Sequence, residues 1–319
     1  MTRPHQRIDL RVDVSSATGI PGAETAVTAH LGAEPNEAVV FAFPGRGYQR
    51  GYYDLGLAGG YSQAEHHLSR GIDLVACDHL GVGDSTIPDL TALTMEQLAA
   101  ANDATVRDVI SRLGDGSLDG GHTRRPRRIV GFGQSMGGCL LTVQQALHRS
   151  FDAVALLGWS GRQTVLPVPP GAPPLPVPGV SRGADPATYP PRAYGAEDLR
   201  YAYHWEDVPD SIAIPDAAWA ARAGSGELPA WRSATGPEVS RTMLSAGVVA
   251  AEAAAIDVPV FLGMGERDVC PDPRAEPAAY SGARDITLFI QPRAAHMHNF
   301  AGTRALLWDR LAAWIEGLG

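Results

Sequence analysis

The sequence predicts an α/β fold built on a mostly parallel sheet covered by helices, and three observations predict it. Short apolar runs bounded by turn residues alternate with amphipathic helical patterns along much of the 319 residues. One of those runs passes through a sharp glycine-rich turn straight into a helical pattern. A long proline-dense stretch interrupts the alternation once, after which the pattern resumes.

Taken in order, "RIDLRVDV" (7–14) and "ETAVTAH" (24–30) alternate in polarity and read as antiparallel edge strands exposed on one side. The continuous apolar runs "AVVFAF" (38–43), "IDLVACD" (72–78), "RIVGF" (128–132), "AVALLGW" (153–159), "VPVFLG" (258–263) and "ITLFI" (286–290) read as strands buried on both faces. The clearest helix runs from about 95 to 113. Thr94 and Gln97 form a capping box, Leu98, Val106, Val109, Ile110 and Leu113 share a face, and Gly114 can end it. A second helix carries Leu140, Leu141, Val143 and Leu147 toward the sheet. The last one, capped by Thr303, repeats Leu307, Leu311, Trp314 and Leu318 at helical spacing. After residue 160, "TVLPVPPGAPPLPVPGVSRGADPATYPPRAY" is too rich in proline for a helix or a central strand. A loop this long inside a compact fold is usually a lid or binding element. The expected division is therefore a core of residues 1–160 and 253–319 with a lid insertion at 161–252.

Composition narrows the function. The chain has 45% hydrophobic and 19% charged residues, with no apolar run long enough for a membrane helix, so no membrane partner is expected. The start "MTRPHQRIDLRVDV" lacks the apolar stretch of a secretory signal, and a cytoplasmic location is the expectation. A net charge of −9 without a basic cluster argues against nucleic acid. All 26 basic residues are arginine, which removes Schiff-base and lysine-held pyridoxal chemistry, and no cofactor is implied. Cys77, Cys139 and Cys270 are too few and too scattered for a disulfide framework or a zinc site, and read as reduced thiols.

In "RRIVGFGQSMGGCLLTVQQALHR", Gly133, Ser135 and Gly137 spell GxSxG between strand and helix. A serine forced into so tight a turn leaves no room for side chains two residues to either side, and its hydroxyl stands exposed at a helix N-terminus. Together with "FPGRG" after the third strand, "DHLGVGDS" after the fourth, and "GERD" and "AAH" near the end, this motif makes the chain resemble the α/β-hydrolase family over almost its whole length. The resemblance implies an eight-stranded, mostly parallel sheet flanked by helices, a lid after strand six, and a catalytic triad in the order serine, acid, histidine.

An activated serine needs a base, and the base needs a carboxylate. Asp268, just past "VPVFLG", is the leading acid; Glu266 and Asp272 share its loop, and "WSGR" after the sixth strand offers no carboxylate. His296, in "RAAHMHNF", falls where the resemblance puts the base. His298, two residues on, then lines the pocket or supports the loop with Asn299. A metal bound by the two imidazoles is disfavoured because further ligands at recognisable spacing are missing. The oxyanion hole draws one N–H from Met136. By resemblance the second N–H belongs to Arg46, with the register open by a residue, since Pro44 stands where a histidine is usual. The Arg46 side chain either meets a carboxylate or points into solvent. Gly45, Gly47, Tyr48, Trp159 and His298 complete the expected pocket. His79 reads as a loop residue and Asp78 as part of a turn.

A serine nucleophile argues against the epoxide hydrolases and dehalogenases of this fold, which by resemblance use aspartate there. The expected reaction is hydrolysis of a carboxylic ester or lactone through an acyl-enzyme. The aromatics Tyr201, Tyr203, Trp205, Trp219 and Trp231, with Tyr48, Tyr52 and Tyr53, point to a fairly large apolar or aromatic small molecule. Carbon-carbon bond hydrolysis of diketones, amide hydrolysis and acyl transfer use the same triad, and the fold also hosts non-catalytic ligand binders. A homodimer is left open.

Overall fold

The computed structural model describes residues 5–175, 180–190, 194–221, 224 and 227–319. Residues 176–179 and 191–193 of the proline-dense stretch lie outside the described residues. Strands β1 (Gln6–Asp13), β2 (Glu24–Leu31), β3 (Ala38–Phe43), β4 (Ile72–Cys77), β5 (Arg128–Gln134), β6 (Ala153–Leu157), β7 (Val260–Arg267) and β8 (Ile286–Ala295) form one sheet in the order β1-β2-β4-β3-β5-β6-β7-β8. Strand β2 runs antiparallel to both its neighbours, and every pair from β4 to β8 is parallel. The chain lays β4 on one side of β3 and β5 on the other. This is the switch of direction at which the carboxyl ends of parallel strands leave a crevice.

The helices are α1 (Ser15–Thr18), α2 (Gln63–Leu68), α3 (Met95–Asp115), α4 (Met136–His148), α5 (Ala196–Tyr203), α6 (Asp210–Ala220), α7 (Ala250–Ala255) and α8 (Arg304–Glu316). They cover both faces because the strand residues alternate. Val39, Phe41 and Phe43 of β3 pack in one core with Leu98 and Val109 of α3 and Leu140 of α4. Val40 and Ala42 pack in the opposite core with Leu307, Leu311 and Ile315 of α8. Full burial of each such large side chain stabilises by about 1.5–3 kcal/mol.

Several expectations need correction. Strand β2 is not an edge: it lies between β1 and β4, and every residue after Glu24 is buried. The small alternating residues of "ETAVTAH" fill both cores, where polarity alone suggested one wet face. Conversely, β8 is the far edge, and Ile286–Ile290 are only half-buried. Helix α3 has the predicted Thr94–Gln97 box but runs past Gly114 to Gly116, the first glycine to adopt a left-handed φ, 82°. Leu147 is 53% exposed instead of facing the sheet. Thr303 precedes α8 without capping it; its hydroxyl donates to Pro292 O at 2.7 Å. Leu318 lies beyond the end of that helix.

The excursion between β6 and β7 carries α5, α6 and α7 and is anchored on one buried carboxylate. Asp216 of α6 accepts Tyr48 Oη (2.6 Å), His204 Nε2 (2.9 Å) and Arg232 Nη2 (2.7 Å) at Oδ2, and Trp231 Nε1 (2.8 Å) and Arg232 Nε (2.7 Å) at Oδ1. Burial alone would raise the Asp216 pKa, but the Arg232 charge and the hydrogen bonds from His204 and Arg232 outweigh it and hold the group well below the carboxylate range.

Breaking a buried ion pair on one side costs about 3–5 kcal/mol, so Asp216→Asn should lower the urea midpoint sharply at pH 7. The folded pKa lies below the unfolded one, so this contribution is fully present above the unfolded value and fades as pH falls toward the folded one. The gap between wild type and Asp216→Asn should therefore narrow below pH ~4. Urea titrations from pH 7 to 3 measure it.

Candidate active site

Strand β5 delivers Ser135 into a turn that only this spacing of glycines permits. Ser135 has φ 54° and ψ −115°, a conformation costing about 1–3 kcal/mol, and its N–H is held by Leu157 O of β6 at 2.8 Å. A Cβ at Gly133 would lie 2.4 Å from Gly137 O, and one at Gly137 would lie 2.2 Å from Phe43 O. The turn is thus pinned between β3 and the first turn of α4.

Facing Ser135 is the loop after β8. His296 Nε2 lies 3.0 Å from Ser135 Oγ, and its Nδ1 lies 2.8 Å from Asp268 Oδ1. With Nδ1–H donating to the carboxylate, Nε2 is left to accept the serine proton. Asp268, just past β7, accepts four hydrogen bonds. Oδ1 takes His296 Nδ1 and Val269 N (2.7 Å), while Oδ2 takes His298 Nε2 (2.7 Å) and Gly265 N (2.8 Å). Burial would raise its pKa, but the two imidazoles overcome that and keep it ionised far below the ordinary range. The alternatives on the same loop are exposed: Glu266 accepts Arg293 N and Asp272 accepts Ala275 N.

The two histidines thus divide. His296 reaches the serine, and His298 holds the other carboxylate oxygen, its Nδ1 buried with no partner among the described residues. His298 does not line the cavity. Among the described residues, no group of three or more His, Cys, Asp or Glu side chains is arranged to hold a metal ion.

The β3 loop lies against the serine, since a Cβ at Gly45 would fall 3.1 Å from Ser135 Cβ. Gly47, at φ 77°, turns the chain back. Met136 N opens α4 beside Ser135, and Arg46 is central in the facing loop. The Arg46 side chain meets the excursion, where Nε donates to Ser240 Oγ at 2.5 Å and Nη2 lies 3.5 Å from Glu238 Oε1. His79 braces the loop from below, with Nε2 3.1 Å from Pro44 O and Nδ1 3.2 Å from Asn102 Oδ1. Burial pulls its pKa down to about 4, so it is a neutral strut.

Above Ser135 opens a cavity of about 580 Å³ whose wall includes Gly47, Met136, Trp159 and His296. Gly45 lies behind the wall. Tyr48 is also absent from it: with Tyr52 and Tyr53 it is buried in the core, its hydroxyl committed to Asp216. These side chains are spent on buried contacts with the excursion (Tyr48), the histidine loop (Tyr52) and the end of β3 (Tyr53), and none is presented to the cavity. Of the five aromatics expected in the excursion, Tyr203 and Trp219 line the cavity. Tyr201 and Trp205 flank the Arg267 guanidinium instead, and Trp231 bonds Asp216.

This architecture recurs in solved proteins. The chain superposes on an alpha/beta hydrolase fold protein from Chitinophaga pinensis with TM-score 0.56 and 16% identity, over 99% of this chain and 98% of that one. A thermophilic esterase from Thermogutta terrifontis gives TM-score 0.61 at 15% identity over 98% and 99%. A bromoperoxidase from Bacillus anthracis gives 0.58 at 13% over 97% and 99%. The chain has the α/β-hydrolase fold. No protein-family model matches the sequence, and no curated protein matches it.

Within the α/β-hydrolase fold, several supports of this site come from residues that no motif marks. Gln134 Nε2 donates to His296 O at 3.2 Å, joining the serine turn to the histidine loop. His296 N and Met297 N donate to Ala202 O (3.2 Å) and Tyr203 O (3.0 Å) at the end of α5, so the excursion holds the imidazole in place. Gly158, at φ 55°, lies under the ring: a Cβ there would come 3.1 Å from His296 Nδ1. The one available signal was that glycine, directly after an apolar strand in "LLGWSG".

Gly158→Ala should cost about 1–2 kcal/mol for the left-handed backbone alone and displace the imidazole. The readouts are the melting temperature and the low-field Nδ1–H proton resonance of His296, which should shift or disappear while the far-ultraviolet dichroism stays native.

Proposed function

We propose that the chain is a serine hydrolase that cleaves a carboxylic ester or lactone of a small molecule through an acyl-enzyme. The observation that carries this reading is the continuous relay from Ser135 Oγ through His296 to the four-fold bonded Asp268, opening on one cavity. His296 takes the Ser135 proton as Oγ attacks the carbonyl carbon. The Met136 and Arg46 N–H groups receive the negative charge on the tetrahedral oxygen, a contribution of about 10²–10³ in kcat for each such donor. His296⁺, stabilised by Asp268, protonates the leaving oxygen. Water, deprotonated by the same imidazole, then releases the acyl group. Residues 161–252 act as the lid over the bound molecule.

A fluorophosphonate probe tests the reading. We expect an adduct on Ser135, found by mass spectrometry, and none in Ser135→Ala or His296→Ala. A folded wild type that stays unlabelled would overturn the mechanism. His296→Ala should reduce turnover by at least about 10³-fold. His298→Ala should cost only about 10- to 100-fold, the loss of one charge-assisted hydrogen bond on Asp268. The reverse order would move the base to His298.

A further inference from the structure

The last register pair between β7 and β8 is Arg267 with Ala295. Asp268 and His296 are the next residue of each chain, so acid and base leave the sheet side by side. An irregularity in the ladder between Gly265 and Arg267 sets that register. There Arg293 takes a left-handed φ of 48°, and its N–H is held by Glu266 Oε2 at 2.8 Å.

The Arg267 side chain reaches the excursion. Its Cζ lies 3.8 Å from the centroid of the Tyr201 ring and 4.8 Å from that of Trp205. Nη2 donates to His204 O at 2.8 Å, and Nη1 bonds Glu206 Oε1. All of these partners belong to the last turn of α5 or to the residues directly after it. The same turn holds the base, through Ala202 O and Tyr203 O on His296 N and Met297 N. The contacts close a ring: Asp268, Arg267, the end of α5, His296, and back to Asp268 by the 2.8 Å bond from His296 Nδ1.

Other contacts also hold α5. The His204 imidazole bonds Asp216, and Leu199 and Ala202 pack in one cluster with Val269. Apolar packing is non-directional: it keeps the helix close and leaves its rotation weakly specified. A guanidinium supplies direction, because its plane stacks on rings while its N–H groups donate in that plane, and an ammonium cannot do both. The Arg267 side chain is only 13% exposed, so water screens these contacts little.

We propose that Arg267 is a positioning residue: it fixes the last turn of α5 against the end of β7 and so keeps His296 Nε2 within reach of Ser135 Oγ. This rests on the hydrolase reading above, and the test separates the two. Arg267→Met should lower kcat for 4-nitrophenyl butyrate about 10- to 100-fold with KM nearly unchanged, the cost of a misplaced reacting group. Labelling of Ser135 by the fluorophosphonate should slow in the same proportion. Arg267→Lys should recover part of the loss. As a control on the same helix, Arg200→Met breaks the exposed Arg200–Asp210 pair and should change either rate by less than about twofold.

One readout needs no turnover. The low-field Nδ1–H resonance of His296, assigned by its absence in His296→Ala, should broaden or vanish in Arg267→Met and stay in place in Arg200→Met, with native far-ultraviolet dichroism in both. If Arg267→Met does not fold, Arg267→Lys and Tyr201→Leu must show the same changes in smaller degree. A raised KM at unchanged kcat, an unchanged resonance, or equal losses in Arg267→Met and Arg200→Met overturns the inference. A resonance lost in Arg267→Met, with Ser135 unlabelled and no ester cleaved by wild type, upholds the placement of His296 and fails the hydrolase reading alone. Cleavage by wild type and Arg267→Met at equal rates fails this inference alone. An unlabelled wild type with a resonance indifferent to Arg267→Met fails both.

Discussion

Ser135 can hold its left-handed backbone only because positions 133 and 137 carry no side chain, and the geometry of the site follows from that contact. Backbone atoms of Gly137 pack against Phe43 O at the end of β3, so the serine, the β3 loop and the N-terminus of α4 meet at one point. The same register brings Phe43 opposite Gly133 across the β3–β5 ladder. A methyl group at either glycine would push the turn off β3. The serine hydroxyl would then leave the reach of His296, and Gly45 would no longer back the space beside Oγ. About 1–3 kcal/mol of backbone strain is thus held by the surrounding sheet, which orders the turn before any ligand arrives.

Two buried carboxylates divide the rest of the work. The side chains of Asp268 and Asp216 are both fully enclosed, both accept several charge-assisted hydrogen bonds, and both stay ionised because their donors outweigh burial. They do different things. Asp268 orients an imidazole, with His298 and two backbone N–H groups fixing its second oxygen so that Oδ1 is presented to His296 in one direction. Asp216 binds pieces of chain far apart in sequence: Tyr48 follows the β3 loop, His204 ends α5, and Trp231 and Arg232 come from the return of the excursion. Removing charge from the first would disturb the site, and removing it from the second would loosen the wall around it.

What the sequence made legible is what depends on near neighbours. The central strands β3 to β7 are visible as runs because their burial is nearly continuous, and Ser135 is visible because its steric requirement falls within five residues. Asp268 could be found from its position just past a strand. His296 and His298 could not be separated by spacing, since both reach Asp268 and only the direction of the loop decides which touches Ser135. The direction in which Tyr48, Tyr52 and Tyr53 point was also unreadable: a glycine-rich loop reverses the chain, and the reversal decides whether an aromatic faces cavity or core. The Asp216 network was hidden for a simpler reason. Its members lie up to 184 residues apart, and each alone looks like an ordinary surface or loop residue.

The excursion helps to build the site as well as to wall it. Two backbone N–H groups of the histidine loop end on carbonyls of α5, and the Tyr203 ring lies 5.3 Å from the His296 ring. The same excursion supplies Arg241, Ser240 and Trp219 to the wall. A displacement of α5 large enough to admit a bulky ligand would pull on His296, whose bond to Ser135 tolerates only a few tenths of an ångström before it weakens. The shape of the wall and the position of the imidazole are mechanically linked in this arrangement. Changes in the excursion that reshape the wall will alter the imidazole geometry unless the Ala202 and Tyr203 carbonyls stay where they are.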